Sequence, residues 1–205
     1  REEPPVYLGA LAVSGKLLYL SGEDMKLSQS ESMEFLRKTM KLKSDDAELE
    51  KMSNLAEGWV GGLQLAAAGG EFSGDLLKKG GGFAAEYLTR EVLGKLSSEE
   101  QSFLVRTGIL PWFDSGICSA LFEAIDYASM LENLLNKNLF LICIDEEKGI
   151  YRYHNILGEY LKQRFSELPA GEQNDILHRA AAAFETHGCF DEAVPLLLFV
   201  EDYDR

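Results

Sequence analysis

The sequence predicts a mainly α fold: a helical domain, then a winged helix of three helices plus a β-hairpin, then the start of a helical-repeat arm. Three observations predict it. Apolar residues recur at helical spacing from Ser30 onward. Ser or Asp stands before successive amphipathic runs, where a helix needs an N-cap. One pair of runs, "LFLICID" and "GIYRYH", reads instead as strands of a hairpin turning at 146–149.

Taken in order, "REEPPVYLGALAVSGKLLYLS" reads as a loop, a short helix and a strand at 17–21. A lone strand has no local partner, which suggests the edge of a larger sheet-containing domain. Ser30 is placed to cap "ESMEFLRKTMKL", with Met33, Phe35, Leu36, Met40 and Leu42 apolar. Ser44 opens "DDAELEKMSNLAEG", where Asp45 and Asp46 suit the positive end of a helix. "GWVGGLQLAAAGG" follows, then "SGDLLKKGGG" as a flexible break and "FAAEYLTREVLGKL" as an amphipathic helix.

A second block opens at Ser97 and Ser98, with Ser98 and Gln101 at capping-box spacing and Pro111 as the stop. "DSGICSALFEAI" and "DYASMLENLLNKN" give two more short helices before the hairpin. Helices, then a two-stranded wing, describe a winged helix. "EQNDILHRAAAAFETHG" and "CFDEAVPLLLFVEDYD" read as a helical hairpin with small alanines at the contact, like one unit of a helical repeat.

Composition excludes several function classes. The net charge is −14, and no basic pair such as Lys78-Lys79 extends into a run, so the chain is poorly suited to neutralising phosphates. The third winged-helix segment, 127–136, carries Glu132 and no Lys or Arg, and the wing tip "DEEKG" is net acidic. Insertion into a DNA groove would meet repulsion at both elements, so DNA binding by this domain is not expected. Cys118, Cys143 and Cys189 lie far apart with no metal-binding spacing and read as buried thiols of a reducing cytosol. The opening "REEPP" does not resemble a signal peptide, and "AVPLLLFV" at 193–200 is too short to span a bilayer, so a cytoplasmic location is expected.

Chemistry concentrates at "YRYHNILGEYLKQRF", where Arg152 and His154 stand at a strand-to-helix junction. A histidine at a helix N-terminus suits a phosphate oxygen, because backbone N–H groups point the same way. Equally, His154 can simply cap the helix over 155–167 while Tyr151 and Tyr153 fill core. Arg152 either shares the face of His154 or pairs with Glu147 or Glu159. A hydrolase using His154, His178 or His187 has little support, since no serine or cysteine sits in an elbow-like motif beside them.

That same stretch resembles the winged-helix segment of the large ATP-dependent LuxR-type transcription activators, the MalT-like branch of the signal-transduction ATPases with numerous domains (STAND ATPases). "EGWVGGLQLAA" at 57–67, "SSEEQSFLVRTGIL", "LLNKNLFLICID" and "LHRAAAAFETHG" follow the family's order and spacing, so the resemblance covers essentially the whole chain. It implies the C-terminal edge of a nucleotide-binding domain at 1–26, a helical domain at 27–96, a winged helix at 97–167 and an arm at 168–205. It also implies that His154 matches a histidine contacting the β-phosphate of ADP, and that Arg1 matches a sensor arginine near the γ-phosphate. Gly62, Leu63 and Gln64 fall where relatives place Gly-Leu-Pro against adenine, and Gln64 departs from that proline. Trp59, on the same helix, is expected to be core.

The expected function is thus that of a regulatory fragment of an ATP/ADP-switched transcription regulator, acting in signal transduction from an inducer. No G-x-x-x-x-G-K-[ST] occurs in the 205 residues, so the fragment is not expected to hydrolyse ATP or to hold nucleotide tightly. ATP or ADP would belong to the parent protein, with Mg²⁺ held by residues absent here. The implied partners are a P-loop domain of the same polypeptide, a helical-repeat sensor with its small-molecule inducer, and DNA through a C-terminal helix-turn-helix only. The alternative is a free-standing winged-helix and helical-repeat adaptor that binds only protein.

Overall fold

Short polar side chains that accept the first unpaired backbone N–H groups set five helix starts in this chain: Ser28, Asp45, Ser97, Asp114 and Asp126. The computed structural model describes residues 8–18, 20, 22–68, 83–122, 126–137 and 140–201. They hold eleven α-helices and one two-stranded antiparallel sheet. The chain divides into two compact units, 1–73 and 74–205. None of the described helices is long and apolar enough to cross a membrane.

In the first unit, α1 (Gly9–Val13) is short and buries no residue. Of the strand expected at 17–21, the described residues Leu17, Leu18 and Leu20 belong to no strand, while Tyr19 and Ser21 lie outside the described residues. Without a neighbouring strand an apolar run has nothing to pair its ladder groups with. Helix α2 (Gln29–Glu34) is capped by Ser28 rather than Ser30, in a capping box with Glu31. Only Ser28 has a carboxylate three residues on, and its N–H donates to Glu31 Oε2 at 2.8 Å. A π-helical turn, Phe35–Thr39, extends it.

Helix α3 (Asp46–Ala56) starts on Asp45, whose Oδ1 accepts the Glu48 N–H at 2.8 Å. The turn to α4 (Val60–Ala68) needs two left-handed residues, Glu57 at φ 46° and Gly58 at φ 76°. Leu27 N–H donates to Gly58 O at 2.9 Å, and a Cβ on Gly58 would stand 2.4 Å from Leu27 O. Only glycine admits that approach. Leu36, Leu49, Met52, Ala56 and Leu63 form this unit's core. The break expected around 73–82 lies outside the described residues.

The second unit begins with α5 (Phe83–Tyr87), which continues through a π-helical turn and a 3₁₀ turn to Lys95. Thr89 Oγ1 and Tyr160 OH share a 2.6 Å hydrogen bond, tying this segment to a later helix. The expected boundary at 96/97 therefore falls inside this unit. Helix α6 (Ser98–Thr107) is capped by Ser97 with Glu100, one residue ahead of the expected pair. Gln101, freed from that role, donates from Nε2 to Leu93 O and Leu96 O, closing carbonyls at the end of the preceding turn.

Helix α7 (Ser115–Leu121) and α8 (Tyr127–Asn136) start on Asp114 and Asp126, as their sequences indicate. Strands β1 (Leu141–Asp145) and β2 (Ile150–Tyr153) then pair antiparallel, Cys143 opposite Tyr151 and Ile142 opposite Arg152. Phe113 adds a single-residue bridge on the other side of β2, with N–H to O distances of 2.8 and 2.9 Å to Tyr151. Helices α9 (Asn155–Ser166), α10 (Ala170–Thr186) and α11 (Phe190–Glu201) complete the unit.

Phe103, Phe113, Phe165 and Phe184 are the largest fully buried side chains of this core, with Phe103 edge-on to Phe113 at 6.0 Å. Helix α6 ends at Gly108, before Pro111, and there it meets α9 closely: a Cβ on Gly108 would lie 2.3 Å from Leu161 Cβ.

Candidate functional site

The junction of β2 and α9 holds His154 from both sides. Its backbone N–H donates to Phe140 O at 2.7 Å, the last rung of the hairpin. Its side chain is the N-cap of α9, with Nδ1 accepting the Ile156 N–H at 3.3 Å. A nitrogen that accepts carries no proton, so the neutral ring bears its hydrogen on Nε2. The Phe140 ring stands edge-on at 6.1 Å, and Phe140 itself adopts a left-handed φ of 52°. His154 is 6% exposed, the most enclosed of the three histidines. The ring thus caps α9, as one of the two sequence readings expects.

Around it the strand alternates. Tyr153 is buried, and its hydroxyl meets Thr107 Oγ1 at 2.6 Å. Thr107 donates to Phe103 O at 2.7 Å, so the tyrosine is the donor in the pair. Burial pushes the Tyr153 phenol far above its ordinary range, with the Thr107 hydrogen bond opposing. Arg152 donates from Nη1 to Tyr153 O at 3.1 Å. Glu159 takes Lys162 at 2.7 Å.

The remaining candidate residues do not gather at this junction. Gly62 and Leu63 are buried in α4 of the first unit, where Leu63 is core, and Gln64 on the same helix is exposed. Trp59 is half-buried, its indole lying over Gly61, where a Cβ would come within 2.6 Å of the ring. Arg1 lies outside the described residues. Among the cysteines only Cys118 is buried, and Cys143 is exposed, against the expectation of uniformly buried thiols. Burial, and then the Asp114 charge, push the Cys118 thiol well above its ordinary value, so it stays protonated. Cys143 lies on β1 beside the register shift between Cys143 and Asp145.

Two further arrangements escaped the sequence. Glu100, the capping residue of α6, is almost fully buried and takes Lys137 Nζ, just past α8, at 2.5 and 2.7 Å. Burial raises the Glu100 carboxyl, but Lys137 and the Ser97 N–H and hydroxyl outweigh it and hold the group below its ordinary value. The arm is also fastened to the winged helix. Trp112 donates to Glu192 of α11 at 3.0 Å and packs edge-on against Phe184 of α10 at 4.9 Å. Arg106 pairs with Glu172 at 2.9 Å, and Arg179 Nε donates to Ala120 O at 2.9 Å. Each contact joins residues far apart in sequence, which no local pattern reveals.

Helix α8, in the position of a recognition helix, has no cationic side chain and carries Glu132. Residues 89–173, from the tail of α5 to the first turn of α10, match the family described as the MalT winged helix domain. The chain is MalT-like. It is 26% identical to the HTH-type transcriptional regulator MalT of Vibrio campbellii over 191 residues, 89% of this chain and 21% of that protein. Against MalT of Vibrio cholerae the identity is 27% over the same share of each chain. The serine/threonine-protein kinase PknK of Mycobacterium tuberculosis is 24% identical over 204 residues, 97% of this chain and 18% of the kinase. This MalT-like chain thus spans about a fifth of the length of the curated relatives it matches.

Proposed function

We propose that this chain is a regulatory segment of an ATP/ADP-switched transcription regulator of the LuxR type, relaying which nucleotide its parent holds. The observation that carries the reading is the cation-free α8 inside a MalT winged helix. A winged helix whose helix in the recognition position carries no cation is poorly placed to neutralise DNA phosphates there and is free to serve contact within a protein instead. The same segment recurs in relatives named for a helix-turn-helix regulator and for a protein kinase. A piece common to such different outputs carries neither output itself, which favours a coupling role.

In this reading His154 is the sensing group. With Nδ1 committed to capping α9, the proton on Nε2 makes the ring a donor at the positive end of a twelve-residue helix, suited to a diphosphate oxygen. Nucleotide and Mg²⁺ would be held chiefly by a P-loop domain elsewhere in the parent. ADP would add a contact available only in the docked state, so its loss biases the winged helix outward. Trp112, Arg106 and Arg179 would carry that displacement into α10 and α11, towards a sensor and its inducer. Output to DNA would fall to a separate helix-turn-helix.

The test is the intact parent carrying His154→Ala. Raised basal transcription with weakened ADP binding is expected, while unchanged nucleotide preference together with unchanged basal output removes His154 from the switch.

A further inference from the structure

Among the described residues, the outer edge of the wing is an open strand. Tyr151 of β2 turns its own N–H and C=O to Phe113, at 2.9 and 2.8 Å. Its partner across the hairpin, Cys143, is therefore in a non-hydrogen-bonded pair, and so is Leu141 opposite Tyr153. The backbone N–H and C=O of Leu141 and Cys143 consequently point away from β2. Among the described residues no backbone group meets them. Natural sheets blunt such edges with lysine, proline, a bulge or a covering element. Strand β1 reads "LICID", with neither lysine nor proline. Its one irregularity lies between Cys143 and Asp145, past the outward groups of Leu141 and Cys143.

Two side-chain features surround this edge. Ile142 is half-buried, and Ile144, at the irregularity between Cys143 and Asp145, is 52% exposed. The turn that follows carries Asp145, Glu146 and Glu147 against Lys148, whose ammonium is already paired with Asp145 at 3.4 Å. We propose that β1 is a docking edge for an extended segment rich in alternating apolar and basic residues, which adds as a strand outside Leu141–Asp145. Main-chain pairing supplies attachment, Ile142 and Ile144 accept the apolar side chains, and the acidic turn selects lysine or arginine. A second copy of this chain is disfavoured as the occupant, since both edges would bring the same acidic turn and each chain carries −14.

The test uses the 205-residue chain and, as probe, an end-blocked octapeptide of alternating valine and lysine, followed by amide hydrogen exchange. Protection grows as one plus the ratio of free ligand to Kd, so exchange at Leu141 and Cys143 should slow about tenfold when the probe is at about ten times its Kd. Cys143→Pro removes the outward N–H without touching the ladder to β2 and should abolish the effect, while Cys143→Ser should retain it. If the proline variant unfolds, Ile144→Lys at the exposed position serves instead, and should weaken binding by charge. No protection with the basic probe, equal protection by an alternating valine-glutamate octapeptide, protection by a DNA duplex instead of the peptide, or concentration-dependent protection without probe would each overturn the assignment.

Discussion

The indole N–H of Trp112 donates to the Glu192 carboxylate at 3.0 Å, across 80 residues of sequence, while the ring packs edge-on against Phe184. One side chain thereby fixes both arm helices to the loop between α6 and α7. Trp112→Phe keeps most of the packing and removes the donor, at an expected cost of about 1 kcal/mol. Hydrogen exchange should accelerate in α11 more than in α9. Equal exchange in both helices of the variant and the parent chain would show that the arm is held elsewhere.

The Glu100–Lys137 pair makes stability depend on pH. The carboxyl titrates lower in the folded than in the unfolded chain, so its contribution is full above the unfolded value of about 4.3 and fades as pH falls through the lowered folded one. Lys137 is 40% exposed, so screening limits the contribution to about 1 kcal/mol. Urea unfolding of Glu100→Gln should show that gap from the parent chain at neutral pH, closing in acid. A gap that persists unchanged in acid would exclude ionisation of Glu100 as its source.

Gly108 is the steric contact between α6 and α9. An alanine methyl would be 2.3 Å from Leu161 Cβ and 2.9 Å from Leu104 O, and both are rigid neighbours. Gly108→Ala should lose about 3 kcal/mol in denaturant unfolding. Leu161→Ala should not rescue it, because the colliding atom is the Cβ that alanine retains. Full rescue would place the strain in the leucine branch instead.

Thr107 and Tyr153 are unequal partners. Tyr153→Phe removes a donor, and Thr107 keeps its own bond to Phe103 O, so the expected loss is about 1 kcal/mol. Thr107→Val strands the buried tyrosine hydroxyl and should cost more, about 2 kcal/mol. Thermal unfolding of the two variants orders them, and the reverse order would contradict the assigned donor.

How far the sequence was legible follows from the range of each interaction. The helix starts at Asp114 and Asp126 and the hairpin from Leu141 to Tyr153 are local, and their patterns announced them. The caps at Ser28 and Ser97 were displaced by one or two residues, since adjacent serines compete and only the one three before a glutamate closes a box. The Phe113 bridge is one residue long and has no periodicity to detect. The run at 17–21 looked like a strand because a short apolar run carries no information about its partner. At the candidate site, capping by His154 was legible from its place before an amphipathic run. Its enclosure was not, nor was the Phe140 carbonyl that fixes its backbone.

The most direct measurement is the ADP affinity of the intact parent carrying His154→Ser, by calorimetry. Serine still accepts the Ile156 N–H, so α9 remains capped, but it lacks the Nε2 donor. Losing one hydrogen bond to a charged phosphate, about 1.5–3 kcal/mol, predicts ADP binding weaker by roughly tenfold to a hundredfold. ADP affinity equal to that of the unaltered parent would contradict the account, leaving His154 the cap of α9 and nothing more.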